Sequence, residues 1–217
     1  MCFSAEASFI VGSSLVVIGA AIIKKIQYKK DIPVALIPLI FAAQQILEGL
    51  LWVSLVNDNL QAQFWLSHIY AVFVGVIWPL YVPFAIYCAE EASNIRRKII
   101  ASAGIAGLAL ALYTIGSIVS QPVTVEIIHN HIYYERDIHF YPVVIALYLL
   151  ATCSPFFLSS YRNLHIAGFV ITIGFFVAYF IYTKTFVSVW CFFAAIASAL
   201  IFLYFINRIR KPLFPIS

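Results

Sequence analysis

Charge is what this sequence has least of. Only 10% of its 217 residues are Asp, Glu, Lys or Arg, nine acidic against thirteen basic, while 64% are hydrophobic and the mean hydropathy is +0.99. Water-soluble domains carry about 25% charged residues, so no single aqueous core could absorb this much apolar surface. Polar stretches long enough for a separate soluble domain are also missing. No basic run is interleaved with aromatics in a water-exposed segment, which excludes a nucleic-acid surface. Methionine occurs once, at position 1, and there are four cysteines.

What is abundant is uninterrupted apolar sequence. Runs at about 8 to 23, 33 to 55, 63 to 88, 99 to 119, 141 to 160, 164 to 182 and 186 to 206 each reach the ~20 residues a membrane-crossing helix needs. Barrel strands alternate apolar and polar positions, whereas Ile105 to Leu112 and Phe192 to Leu203 are apolar on every side. The expected fold class is therefore all-α: an integral membrane protein with a bundle of seven transmembrane helices, residues 1–217 forming one domain in the lipid bilayer. No repeat of 20 to 50 residues is present, and Pro79 and Pro83 predict a kink in span three.

The basic residues encode orientation. Lys24, Lys25, Lys29 and Lys30 follow span one, Arg96, Arg97 and Lys98 follow span three, Arg162 follows span five, and Arg208, Arg210 and Lys211 follow span seven. The alternate loops hold only Arg136 and Lys184, so the positive-inside rule puts the N-terminus outside and the C-terminus in the cytoplasm. Span one has no basic residue before it and no small-residue cleavage site after it, so it is expected to stay as a helix and not to be removed as a signal peptide. The one long loop, 121–138, falls outside; Val123 to Ile128 and His131 to Arg136 read as two β segments joined at Asn130, an external hairpin between helices four and five.

Ionisable residues inside a span cost about 2.5 to 3.5 kcal/mol at mid-span, and only two lie well inside. Glu48 sits ~10 Å below the outer end of span two and His68 ~8 Å below the outer start of span three. The short turn Asn57-Asp58-Asn59 makes these spans antiparallel neighbours, so the two side chains are expected to face each other. Gln45 (or Gln44), Glu48 and Trp52 recur at helical spacing and give span two one polar face. Two readings stand: a satisfied network joining helices, or a functional site.

Cysteine placement bears on the choice. Cys88 and Cys153 belong to the cytoplasmic half, Cys2 and Cys191 to the outer half. Cys191 also reads as a small buried hydrophobe. Cys2 is harder to account for, being a thiol on the oxidising face with no lipidation motif around it. Together the outer half offers a thiolate (Cys2), a thioether or amine (Met1), a carboxylate (Glu48) and an imidazole (His68). Cys191, His131, Gln45 and Trp52 stand as further ligands or supporting residues, and His129 and His139 also lie on that side. This is a metal-ligand set; the thioether favours copper, and zinc is the alternative. An electron-transfer role would call for a periplasmic redox or metal-carrying partner.

The opening Met1-Cys2-Phe3-Ser4-Ala5-Glu6-Ala7-Ser8-Phe9, with Gln45-Ile-Leu-Glu48-Gly-Leu-Leu-Trp52 and Ser188-Val-Trp-Cys191, resembles a family of small uncharacterised bacterial multi-span membrane proteins. The resemblance covers the whole chain and implies a bacterial inner membrane. It carries no activity. Rival classes lack their residues: retinal proteins need a lysine inside span seven, bis-histidine haem needs a second intramembrane histidine beside His68, and seven-span zinc hydrolases need a His-x-x-x-His pair in the last span. A small-solute transporter or a membrane-embedded metal-dependent enzyme remains the alternative, the first because Pro79 and Pro83 could break span three; enzymatic activity is not the leading expectation.

Overall fold

The computed structural model describes residues 4–91, 94–135, 139–182 and 185–210, the last four by backbone alone. Ten α-helices and one two-stranded sheet account for most of them: α1 (Ala5–Ile23), α2 (Ile32–Val56), α3 (Leu60–Val72), α4 (Trp78–Ala89), α5 (Asn94–Ser120), β1 (Thr124–Ile128), β2 (His131–Glu135), α6 (Tyr141–Thr152), α7 (Ser154–Leu158), α8 (Arg162–Ile181), α9 (Phe186–Ala199) and α10 (Ile201–Arg210). Several are continuous. α3 runs into α4 through a π-helical turn at Phe73–Ile77, α6 into α7, and α9 into α10, so seven helical segments are long and apolar enough to cross a membrane. Ile10, Val17, Ile105, Val119, Phe169 and Phe180 lie on the outside of the bundle, each at least 60% exposed, a surface that suits lipid and not water.

Local chemistry explains where the helices start and stop. Ser4 caps α1 by accepting from the Ala7 N–H at 3.2 Å, and Asn59 caps α3 by accepting from Ala62 N–H at 3.0 Å. Pro155 sits at the N-terminus of α7, after the irregular Cys153 that ends α6. The third span is interrupted where its prolines predict: the π turn at Phe73–Ile77 contains Gly75, four residues before Pro79, whose ring crowds the Gly75 carbonyl and offers it no N–H.

α1 and α2 run antiparallel in close contact. A Cβ on Gly12 would lie 2.9 Å from Ile46 Cγ1, and one on Gly49 2.7 Å from the Phe9 ring, so these two small positions set the register of the pair. The main core runs along the bundle interior, with Phe41 stacked on Trp78 at 3.8 Å and Phe175 edge-on to Trp190 at 5.2 Å. A smaller cluster of Leu51, Trp52 and Ile132 joins α2 to the hairpin, with Ala5 of α1 against it.

The two ends of the bundle are chemically distinct. At the basic end Lys30 pairs with Glu91, Glu90 accepts from Ser160 N–H (2.7 Å) and Ser160 Oγ (2.6 Å), and Asp31 accepts from the Tyr204 hydroxyl at 3.1 Å. The opposite end carries the hairpin. β1 and β2 pair antiparallel from Thr124↔Glu135 to Ile128↔His131, around a two-residue turn. His129 and Asn130 both take left-handed backbone (φ 48° and 60°), the geometry of a tight type I′ connection that asparagine accepts readily.

Candidate functional site

Glu48 is buried completely, about two turns from the hairpin end of α2. Ser188 Oγ of α9 donates to Glu48 Oε1 at 2.6 Å, and Gln45 Nε2, one turn away on α2, donates to Oε2 at 3.2 Å. Both carboxyl oxygens accept, the pattern that a carboxylate, which has no proton to donate, makes best. Gln45 and Glu48 meet because residues three apart share a helix face, and Ser188 and Cys191 meet this face from α9 for the same reason. The Cys191 thiol lies beside Glu48, approached by the Tyr70 hydroxyl of α3 and the Gln44 side chain. Gln44 is itself oriented, since its Oε1 accepts from Trp78 Nε1 at 2.5 Å.

Four polar atoms of α1 and α2 in this region are buried with no hydrogen-bond partner among the described residues: Gln44 Nε2, Gln45 Oε1, Trp52 Nε1 and Ser8 Oγ. Gln45, Glu48 and Trp52 form the expected stripe, and Ser8 lies one turn from Gly12 on the face of α1 that meets α2. Each such atom costs about 1 to 3 kcal/mol if nothing polar reaches it. One acceptor, two donors and a hydroxyl therefore have no polar group among the described residues to pair with.

His68 does not join Glu48. Its Nδ1 faces Phe64 O at 2.6 Å, Nε2 accepts from Val123 N–H at 3.4 Å, and its ring lies against Phe64. Ser67 Oγ meanwhile lies 3.0 Å from Val123 O, so neighbouring side chains hold both sides of the residue that leads into β1. Equal depth on adjacent helices was the ground for expecting a Glu48–His68 contact, and depth does not fix rotation about the axis: Tyr70, two residues on, is the α3 side chain that turns inward. With Nδ1 protonated toward its own helix and Nε2 occupied, His68 works here as a clamp on the hairpin. His68→Ala is expected to weaken that clamp by about 1 kcal/mol, read as faster amide exchange over residues 123–135 with exchange in α1 and α2 unchanged.

The other expected residues are spread out. His131 is buried on β2, stacked on Tyr182 at 5.1 Å, with Nδ1 2.7 Å from His129 O. His129 is exposed at the turn, and His139 contributes its carbonyl to the Tyr113 hydroxyl at 3.1 Å. Met1 and Cys2 lie outside the described residues. Among the described residues no three His, Cys, Asp or Glu side chains gather as a metal-ligand group. Sequence reading passed over Tyr70, and took Ser188 only as a neighbour of Cys191, although Ser188-x-x-Cys191 has the spacing that places both on one helix face.

The chain belongs to a family of unknown function (DUF6629), whose model matches residues 1–214. No curated protein and no solved structure matches it.

Proposed function

We propose that the protein is a membrane-embedded metal-binding protein of the bacterial inner membrane, taking copper in preference to zinc. Met1, Cys2 and Glu48 are the proposed ligands, with Cys191, beside Glu48, as a further one; Gln45 and Trp52 support the site from α2. The observation that carries this reading is Glu48. A fully buried side chain whose two oxygens both accept hydrogen bonds suits a carboxylate, and a carboxylate buried there would be balanced by a cation. A cation held by the N-terminal thiolate and thioether would supply that balance, and would draw polar groups toward the unsatisfied Gln45, Trp52 and Ser8 atoms. Ala5 against the Trp52 cluster and Phe9 against Gly49 bring the start of α1 to this end of α2. Sulfur donors with a thioether are copper chemistry, and one thiolate with copper suits transfer of electrons or metal to a periplasmic partner.

The orientation follows from the basic residues, eleven of thirteen of which fall in the loops of one side. The hairpin and Glu48 then lie toward the outside. A reporter fused at the C-terminus is expected to be active only in the cytoplasm, and periplasmic activity would remove the site from the oxidising face.

The decisive experiment is elemental analysis with an optical spectrum on protein purified without added metal. Wild type is expected to retain copper and to show a thiolate-to-copper absorption band after oxidation, whereas Cys2→Ser loses both. Equal, negligible metal in the two preparations would end the reading. A solute transporter makes the reverse forecast, with Cys2→Ser silent and flux altered by substitutions around Pro79.

A further inference from the structure

A second site lies between the bundle and the hairpin. A cavity of about 440 Å3 is walled by the third to seventh spans and closed on one side by Val123, Tyr133 and Tyr134 of the hairpin segment. Seven of its lining residues are tyrosines, more than half of the thirteen in the whole chain, and none carries a charge. The walls present flat faces: Tyr70 stacks on Tyr134 at 4.5 Å, and Phe186 lies near-parallel to Trp190 at 5.7 Å. The π-helical turn of the third span contributes Val74 and Gly75 to the same wall. Such one-turn departures from α geometry recur at functional sites, because they turn side chains off the helical register.

This composition selects a ligand class. The uncharged lining leaves a phosphate, carboxylate or ammonium without a counter-charge, which excludes ionic solutes and fatty-acid headgroups. An alkyl chain needs only methylene walls and gives phenol hydroxyls nothing to bond. A flat ring with oxygen substituents uses both properties, the faces by stacking and the oxygens as acceptors for lining hydroxyls other than those of Tyr70 and Tyr113, which face the Cys191 thiol and the His139 carbonyl. The volume falls within the ~300 to 1,000 Å3 of small-molecule sites. We propose that this cavity binds the head ring of an uncharged, lipid-soluble quinone-class molecule. Tyr70 borders both this cavity and the Cys191 side of the Glu48 cluster, yet the proposal stands without any metal.

The test is a titration of the full-length protein in detergent with a decyl-substituted benzoquinone, read by quenching of tryptophan fluorescence. Wild type and Cys2→Ser are expected to show the same saturable quenching, which separates this proposal from the metal reading. Val144→Phe, which fills the cavity, is expected to raise the half-saturation concentration about tenfold. Leu108→Phe, on the exposed face of α5, is expected to change nothing. Decanol, with the tail and no ring, is expected not to compete with the quinone on the wild-type protein, a result that does not depend on any variant folding. Linear, unsaturable quenching, equal quenching in Val144→Phe and wild type, or competition by decanol would each overturn the proposal.

Discussion

A single methyl group added at Gly107 is expected to destabilise the bundle by about 3 kcal/mol, the upper end of what overpacking costs. A Cβ there would lie 1.9 Å from Pro79 O and 2.6 Å from Pro79 C. Those atoms are backbone, and they belong to the first turn of α4, just after the π turn, so no side-chain rotation can relieve the clash. α5 and the third span would have to separate along the wall of the tyrosine-lined cavity. Gly116 supplies the control on the same helix, because a Cβ there meets nothing within 4 Å. Gly116→Ala is expected to be neutral or to stabilise by up to about 1 kcal/mol, the helix-propensity difference between the two residues. Thermal unfolding of the purified proteins in one detergent would read both effects. Equal midpoints for the two variants would show that the contact at Pro79 does not hold the spans together.

That contrast also marks where sequence reading reaches its limit. Seven apolar segments, the hairpin with its turn at His129-Asn130, and the stripe of Gln45, Glu48 and Trp52 were legible because each is a local pattern, a run length or a period. Which glycine tolerates a methyl group was not legible, since Gly107 and Gly116 sit in similar apolar sequence and differ only in what lies across the interface. The same holds in part for the third span. Its prolines predict an irregularity, and the structure has one over Phe73–Ile77, around Gly75 four residues before Pro79; only its form, a π turn, was not legible. The site divides in the same way. Glu48 was conspicuous as a carboxylate in an apolar run, and its neighbour along the helix, Gln45, could be inferred from spacing. Its partner across the bundle could not, because Ser188 of α9 is 140 positions away, and the rotation of α3, which aims Tyr70 and not His68 at the neighbouring Cys191, leaves no local pattern.

The sharpest separation of structure from function at this site comes from two substitutions of Glu48. In Glu48→Ala the Ser188 hydroxyl and the Gln45 amide lose their acceptor in a fully buried position, at about 1 to 3 kcal/mol each, and the shortened side chain leaves a void. A large loss of stability is expected whatever the protein does. Glu48→Gln keeps the volume and keeps an oxygen for Ser188, but would place a new –NH2 against Gln45 Nε2. Gln45 can answer by turning its amide over, because its Oε1 has no partner among the described residues and would become the acceptor. Glu48→Gln is therefore expected to unfold within about 1 kcal/mol of wild type, and the proposed metal site predicts that it retains no copper, having no carboxylate to offer. Thermal unfolding and metal content measured on the same preparations give the answer. Full metal occupancy in Glu48→Gln would remove Glu48 from the ligand set. Destabilisation as severe as in Glu48→Ala would instead mean that the charge itself ties α2 to α9, and that the buried carboxylate joins helices and does not hold a metal.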